Sequence, residues 1–262
     1  MTNKVVLVGD KGTGKTSFLR TLTTGKFSHD YLPNSIDHHI ELNQGVAIDL
    51  IDTSGGAENA LLRSFKYTGN PIFLICFSVA NRHGFLNIEN NWLPEIKYHA
   101  PNAPVILVGM QSDLRDSNPN AVSNLEIQEL QQKLNVTYIE ISSLTGTNLQ
   151  NLQKEIKLAN LKVDLLAIAL EARKESKTTY LPIFRNTFSA LSEKITIAKY
   201  IEAAVKKTTL QELRDTLEPL FQHPLSEDSF AKKAIAKLDS SNIDLVIPAS
   251  TQTKNASFNA KN

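Results

Sequence analysis

The run Gly9-Asp10-Lys11-Gly12-Thr13-Gly14-Lys15-Thr16 constrains this chain more than any other feature. It fits the spacing G-x-x-x-x-G-K-[ST] and stands between a short β-branched run, Lys4–Val8, and a helical pattern, Lys15–Thr24. Small residues let the backbone curl until successive N–H groups point inward at phosphate oxygens. A helix starting at Lys15 aims the positive end of its dipole at the same charge. On this reading Lys11, Gly12, Thr13, Gly14, Lys15, Thr16 and Ser17 surround a phosphate chain. Lys15 reaches the β- and γ-phosphates, and the Thr16 hydroxyl ligates Mg²⁺. The alternative, a glycine-rich turn that merely ends in Lys-Thr, has no reason to carry both flanks. By itself the loop separates neither GTP from ATP nor a switch from a kinase.

The rest of the first half alternates strand-like and helical runs, which predicts a mostly parallel sheet covered by helices. Lys4–Val8, Val46–Ile51, Ile72–Ser78, Val105–Val108 and Tyr138–Ile141 are apolar enough for central strands. Ile36–Leu42 alternates and suits an antiparallel edge strand, joined to Val46–Ile51 by the turn Asn43-Gln44-Gly45. Helices are expected at Lys15–Thr24, Phe85–Tyr98, Leu125–Leu134 and Leu149–Ala159. The fold class is therefore α/β, a P-loop architecture with a mixed, mostly parallel six-stranded sheet and helices on both faces. After Ala159 the spacing turns helical, with no further strand-like run until Asp244–Ile247. Leu161, Leu165, Ile168 and Ala172 share one face, as do Phe184, Phe188, Leu191 and Ile195, and Leu210, Leu213, Leu217 and Leu220. The expected division is a nucleotide-binding domain over 1–158, an all-α region of three to five helices over 160–238, and a tail over 239–262 rich in Ser, Thr, Asn and Ala.

Three further segments bear on the nucleotide. Asp52-Thr53-Ser54-Gly55 closes a strand beside the loop, where a carboxylate holds a Mg²⁺-bound water and Gly55 brings its N–H to the γ-phosphate. Asp113, within Gly109-Met110-Gln111-Ser112-Asp113, follows another strand. A carboxylate there accepts two hydrogen bonds from the ring N–H and exocyclic amine of guanine, a pattern adenine does not offer. Ser142-Ser143-Leu144 ends a third strand, where a backbone N–H meets the guanine keto oxygen.

At these residues the chain resembles the Ras superfamily of small GTPases, and within it the Rho branch. Four stretches carry the resemblance: Tyr31-Leu32-Pro33-Asn34-Ser35-Ile36-Asp37, Phe73-Leu74-Ile75-Cys76-Phe77-Ser78-Val79, Asn91-Trp92-Leu93-Pro94-Glu95-Ile96 and Asp113-Leu114-Arg115-Asp116. It covers residues 3 to about 158 and says nothing of 160–262. The resemblance implies GTP or GDP as ligand, with Mg²⁺ held through Thr16, Asn34 and Asp52. It implies that Phe27 packs edge-on to guanine, that Gln111 lays its stem over the base, and that Asp113 and Leu114, with Ser142, Ser143 and Leu144, complete the base site. It also implies effector or regulatory proteins bound through two switch segments, 27–42 and 55–65.

The sequence departs from the family where hydrolysis occurs. Gly56 stands where the family places the glutamine that orients the attacking water, and Lys11 replaces a loop glycine, so no catalytic residue is assigned. Lys11 crowds the seat of the attacking water and of any arginine finger, or else serves as a built-in cation. Asn34 replaces the first-switch threonine, although its amide oxygen still suits a hard cation. Met110 replaces a polar residue that ties the base loop to the phosphate loop, a loss of about 0.5–1.5 kcal/mol. Three readings stay open: a GTP-loaded Rho-like switch with impaired hydrolysis, an active GTPase using Lys11 or Glu58 as substitutes, and a nucleotide-insensitive interaction scaffold.

Composition narrows the rest. A formal charge of +1 argues against coating nucleic acid, and the longest apolar stretch, Pro71–Ala80, is half of what a membrane span needs. One cysteine, Cys76, excludes an intrachain disulfide and suits the reducing cytoplasm. The sequons at 135–137 and 255–257 read as chance. No secretory signal is expected at the start, and no C-a-a-X cysteine or other lipid anchor at Phe258-Asn259-Ala260-Lys261-Asn262. A further partner is expected through the helical region. A Rho-like domain without a lipid signal is also what a pathogen protein delivered into a host cytoplasm would look like.

Overall fold

The structure, a computed structural model, describes residues 3–28, 37–42, 46–178, 196–207, 209–221 and 230–240. Six strands form one sheet: β1 (Asn3–Val8), β2 (Asp37–Leu42), β3 (Val46–Asp52), β4 (Ile72–Ser78), β5 (Val105–Met110) and β6 (Thr137–Glu140), in the order β2-β3-β1-β4-β5-β6. Only the edge pair β2–β3 is antiparallel, with Ile40 opposite Ile48; the other neighbours run parallel. The mostly parallel six-stranded sheet expected from the alternating pattern is the one observed. The turn at 43–45 lies outside the described residues.

Each central strand sends alternate side chains to opposite faces, so both faces need cover. Val5 and Leu7 of β1 join Phe18 and Leu19 of α1 (Lys15–Thr24) and Leu152 and Ile156 on one side. Val6 and Val8 point the other way, to Trp92, Ile96, Ile127 and Leu130. Those last four belong to α3, which runs through residues 82–99, and to α4 (Asn124–Leu134), while α2 (Ala60–Ser64) is a short helix before β4. Ser123 caps α4 by a reciprocal exchange with Glu126, the capping box its S-x-x-E spacing encodes.

Helix α3 is not regular. Between Arg82–Asn87 and Leu93–His99 it passes through a π turn, Ile88–Trp92, in which the Leu93 N–H reaches back five residues to the Ile88 carbonyl. Pro94 gives the reason. A proline has no N–H for the carbonyl four residues before it and its ring crowds that carbonyl, so the helix widens by one residue.

The helix expected to end at Ala159 instead runs on to Thr178, as α5 (Leu149–Thr178). It carries two apolar stripes. Leu152, Ile156 and Ala159 pack on the sheet, while Leu158, Leu161, Leu165, Ala169 and Ala172 pack on a second core with Ile197, Ala198, Ile201, Leu213, Leu217, Ala234 and Leu238. The partners in that core come from α6 (196–205), α7 (Leu210–Phe221) and α8 (Phe230–Ser240). Arg173–Glu202 and Lys237–Asp164 ion pairs flank it. The expected all-α character of this region is observed, but the border drawn at 158–160 falls inside one unbroken helix. The stripe at 184–195 and the run 244–247 lie outside the described residues. Residues 239–240, placed in the tail by composition, close α8.

Candidate nucleotide-binding site

The loop between β1 and α1 is shaped by its glycines and by the strand beside it. Gly9 has φ +146°, and a Cβ there would lie 2.0 Å from the Cys76 carbonyl oxygen of β4. Gly14, at φ +97°, starts α1 without a side-chain cap, so the first N–H groups of the helix face the loop. Lys15 is buried inside the curl. Its ammonium donates to the carbonyls of Gly9 (2.7 Å) and Asp10 (2.8 Å) and to Thr13 Oγ1 (3.3 Å). All three partners are neutral oxygens, and burial lowers the Lys15 pKa against the opposing pull of Asp52 and Asp10. A buried cation with neutral partners is a site that welcomes an anion. Lys11 and Gly12 are exposed at the tip, Thr13 is buried, and Thr16 and Ser17 open α1.

Thr16 Oγ1 donates to Asp52 Oδ2 at 2.6 Å, joining the start of α1 to the end of β3. The other oxygen, Asp52 Oδ1, is buried with no hydrogen-bond partner among the described residues. Burial raises the Asp52 pKa despite the Thr16 hydrogen bond and the Lys15 charge. An orphaned, desolvated carboxylate oxygen beside a threonine hydroxyl fits a hard divalent cation and its waters, so these residues suit the expected Mg²⁺. Asn34, the third expected ligand, lies outside the described residues.

The segment after Asp52 is pressed onto the loop. A Cβ on Gly55 would lie 2.4 Å from the Gly9 carbonyl oxygen and 2.5 Å from both Asp10 C and Lys11 N. Gly56 follows in ordinary extended geometry (φ −79°, ψ 143°). The space where its side chain would begin is taken by Glu58, whose Oε1 lies 2.0 Å from the position of an added Cβ. Asn59 Nδ2 holds that carboxylate (3.1 Å) and Ser54 Oγ (3.0 Å). Two neighbouring glycines suggest a loose loop, but Arg63 ties it down. Its Nη1 donates to the carbonyls of Ser54 (2.7 Å) and Gly56 (3.0 Å), while Nε and Nη2 grip both oxygens of Glu95 on α3. Tyr67 adds a third hydrogen bond to Glu95. Burial alone would raise the Glu95 pKa, but the Arg63 and Tyr67 hydrogen bonds outweigh it and hold the carboxyl below the usual range.

The base loop assembles at the far end of β5 and β6. Gln111 adopts the left-handed conformation (φ 59°), and its Cγ and the Met110 methyl lie 3.9 and 4.0 Å from where a Gly14 Cβ would sit. The buried Met110 side chain thus reaches toward the phosphate loop at Gly14, with no polar group to tie the two loops, as the sequence implies. Asp113 is exposed; its Oδ1 accepts from Ser142 Oγ, which leaves Oδ2 without a partner among the described residues. Ser142 Oγ also accepts the Thr145 N–H, shaping the turn that contains Ser143 and Leu144. Leu114 and Leu144 stay exposed on either side. Phe27 is half-buried in the segment just past α1.

The structure thus joins four of the expected clusters: 9–17, 52–56, 110–114 and 142–144. Sequence reasoning missed the braces. Arg115 grips both oxygens of Glu140 and the Val122 carbonyl, anchoring the chain after Asp113. Asp10 accepts from Trp92 Nε1 (2.9 Å) and Asn87 Nδ2 (2.7 Å), both on α3. No helix among the described residues is long and apolar enough to cross a membrane. A glycine-shaped loop thus opens a six-stranded mixed sheet, with the Asp52 carboxylate beside its first helix and the Asp113 carboxylate just past β5. The sequence model described as Ras family matches residues 4–161, more than half of the 262-residue chain, and the protein belongs to that family of GTP-binding switches.

Proposed function

We propose that this chain is a Rho-type guanine-nucleotide switch in which GTP hydrolysis is slow or absent, so that it rests GTP-loaded and offers its switch surface to effectors. One observation carries the reading: Gly55 is seated on the backbone of the phosphate loop, and the next residue, Gly56, has no side chain to orient a water. Catalysis of phosphoryl transfer is mostly positioning, so an absent positioning group slows the reaction without loosening the ligand. In this reading the amides of 11–17 and the Lys15 ammonium hold the phosphates. Thr16 and Asp52 hold Mg²⁺, which neutralises phosphate charge. Gln111, Asp113 and Leu114 read guanine together with 142–144, and Phe27 flanks it. The resemblance of Trp92-Leu93-Pro94-Glu95-Ile96 to the Rho branch supports that assignment.

The second switch supplies a surface for partners. Leu61, Leu62 and Phe65 are 72%, 66% and 68% exposed within five residues, and a cluster of exposed apolar side chains supports a partner site there. Effector or regulatory proteins would bind through 27–42 as well as through 55–65, and a further partner through the helical region from 160 onward, in the cytoplasm. Nucleotide extracted from the purified protein and separated on an ion-exchange column tests the reading. GTP is expected to predominate. GDP with brisk phosphate release would refute it.

A second reading rests on Glu58, whose carboxylate fills the space beside Gly56 and is fixed there by Asn59. A carboxylate so placed orients a water in place of the missing glutamine. Single-turnover phosphate release from wild type and Glu58→Ala separates the two: a fall of tenfold or more in the variant would favour the working GTPase.

A further inference from the structure

We infer that Trp92 is a positioning residue that couples the phosphate loop to the second switch. The inference rests on the reading of 9–16 as the phosphate loop. Trp92 is the one tryptophan in the sequence, and it is 4% exposed. Its two sides do different things. The indole N–H holds Asp10 Oδ1 of the loop at 2.9 Å. Its ring face carries the Arg63 guanidinium, whose Cζ lies 4.8 Å from the ring centroid. That guanidinium in turn grips the carbonyls of Ser54 and Gly56, the two residues flanking Gly55. A continuous path of side chains thus runs from the second residue of the phosphate loop to the backbone of the segment seated on it.

The path depends on the irregularity of α3. Residues 88 and 92 belong to the π turn next to Pro94, and the extra residue there sets the angle at which Trp92 leaves the helix. Asn87, at the entry to the turn, donates to the other Asp10 oxygen at 2.7 Å. Both carboxylate oxygens are therefore held by one helix. The same helix supplies Glu95, which fixes Arg63 from the opposite side. Displacing Asp10 frees the indole; freeing the indole removes the ring face on which Arg63 rests. Conversely, withdrawal of Arg63 unpacks the ring that holds Asp10. Such coupling is reciprocal.

Hydrogen–deuterium exchange of the full chain tests it, with nucleotide release as a second readout. Asp10→Ala removes a side chain of the loop and leaves the backbone contact of Gly55 untouched. Its exchange is expected to rise roughly tenfold not only in 9–16 but also in 54–67, the loss of a charge-assisted hydrogen bond read through the path. Arg63→Met is expected to raise exchange in 9–16 as well as in its own segment. In a Trp92→Phe background, which keeps a ring but no N–H, Asp10→Ala should no longer reach 54–67. Release of a fluorescent GDP analogue should be roughly tenfold faster in Asp10→Ala and in Trp92→Phe, and the double variant should be no faster than either alone. Effects confined to the segment mutated, or additive release rates, would overturn the inference. If Arg63→Met does not fold, the Asp10→Ala pair decides alone. Should the chain bind no guanine nucleotide, the exchange arm still tests the coupling, and the failure belongs to the nucleotide reading.

Discussion

Gly55→Ala is the most demanding perturbation of this site, because one methyl group meets only backbone. The added carbon would lie 2.4 Å from the Gly9 oxygen and 2.5 Å from two further loop atoms, where ordinary contact begins near 3.4 Å. The second switch must therefore retreat by about 1 Å, since the phosphate loop is fixed between β1 and α1. Overpacking of this kind costs about 1–3 kcal/mol and weighs on GTP and GDP alike. On the proposed reading the retreat also withdraws the Gly55 N–H from a terminal phosphate, a hydrogen bond to a charged group worth about 1.5–3 kcal/mol that only the triphosphate would make. The ratio of GTP to GDP affinity should then fall by roughly 10- to 150-fold. Calorimetric titration of both nucleotides with Mg²⁺ measures it. Arg63 still holds Ser54 and Gly56, so the variant should remain folded by thermal melting. An unchanged ratio would mean that residue 55 does not meet the terminal phosphate, and the site would need another polarity.

Three further outcomes are expected. Asp113→Ala should lose most of the preference for guanine over adenine nucleotides, about 1.5–3 kcal/mol, in competition binding; an unaltered preference would place the base elsewhere. Chelating Mg²⁺ should speed nucleotide release from wild type several-fold but hardly from Thr16→Ala, whose hydroxyl is one proposed ligand, and equal acceleration of both would argue against Thr16. Glu95 titrates below the usual carboxylate range, so its contribution to stability is complete above an unfolded pKa of about 4.3 and disappears as pH falls through the lower folded value. Glu95→Ala should therefore be less stable at pH 7, by the low end of about 3–5 kcal/mol because Glu95 keeps 18% exposure. Melting curves of the two proteins should converge as pH falls below the usual carboxylate range, and a constant gap would show that the carboxylate charge is not what holds Arg63.

The strands were legible because central parallel strands are continuous apolar runs that local pattern reports directly. Ile72–Ser78 is a case in point, with every residue buried. The phosphate loop was legible for a similar reason: it is a contiguous motif with a strand before it and a helix after it. The braces were not. Arg63 and Glu95 are 32 residues apart, and Asp10 and Trp92 are 82 apart. Nothing local says which carboxylate a guanidinium finds. Trp92 reads as a core residue on an amphipathic segment, and burial bears that out, while its N–H serves the site. The length of α5 escaped for another reason. Its apolar stripe shifts face over 158–163, where Leu158 and Leu161 already meet the second core while Ala159 and Val163 still meet the sheet, which looks like an ending when only one face is followed.

That change of face has a geometric consequence. Thirty residues of α5 span about 45 Å, and the sheet and the C-terminal helices grip the same rod on faces set by residue count alone. Each residue turns the rod by roughly 100°, so a single inserted residue near 162 would swing every helix beyond it by about that angle around the axis of α5. The two halves of the chain are thereby indexed to one another like parts keyed on a common shaft, and whatever docks on the far helices meets the switch at a bearing written in the number of residues between Leu152 and Leu165.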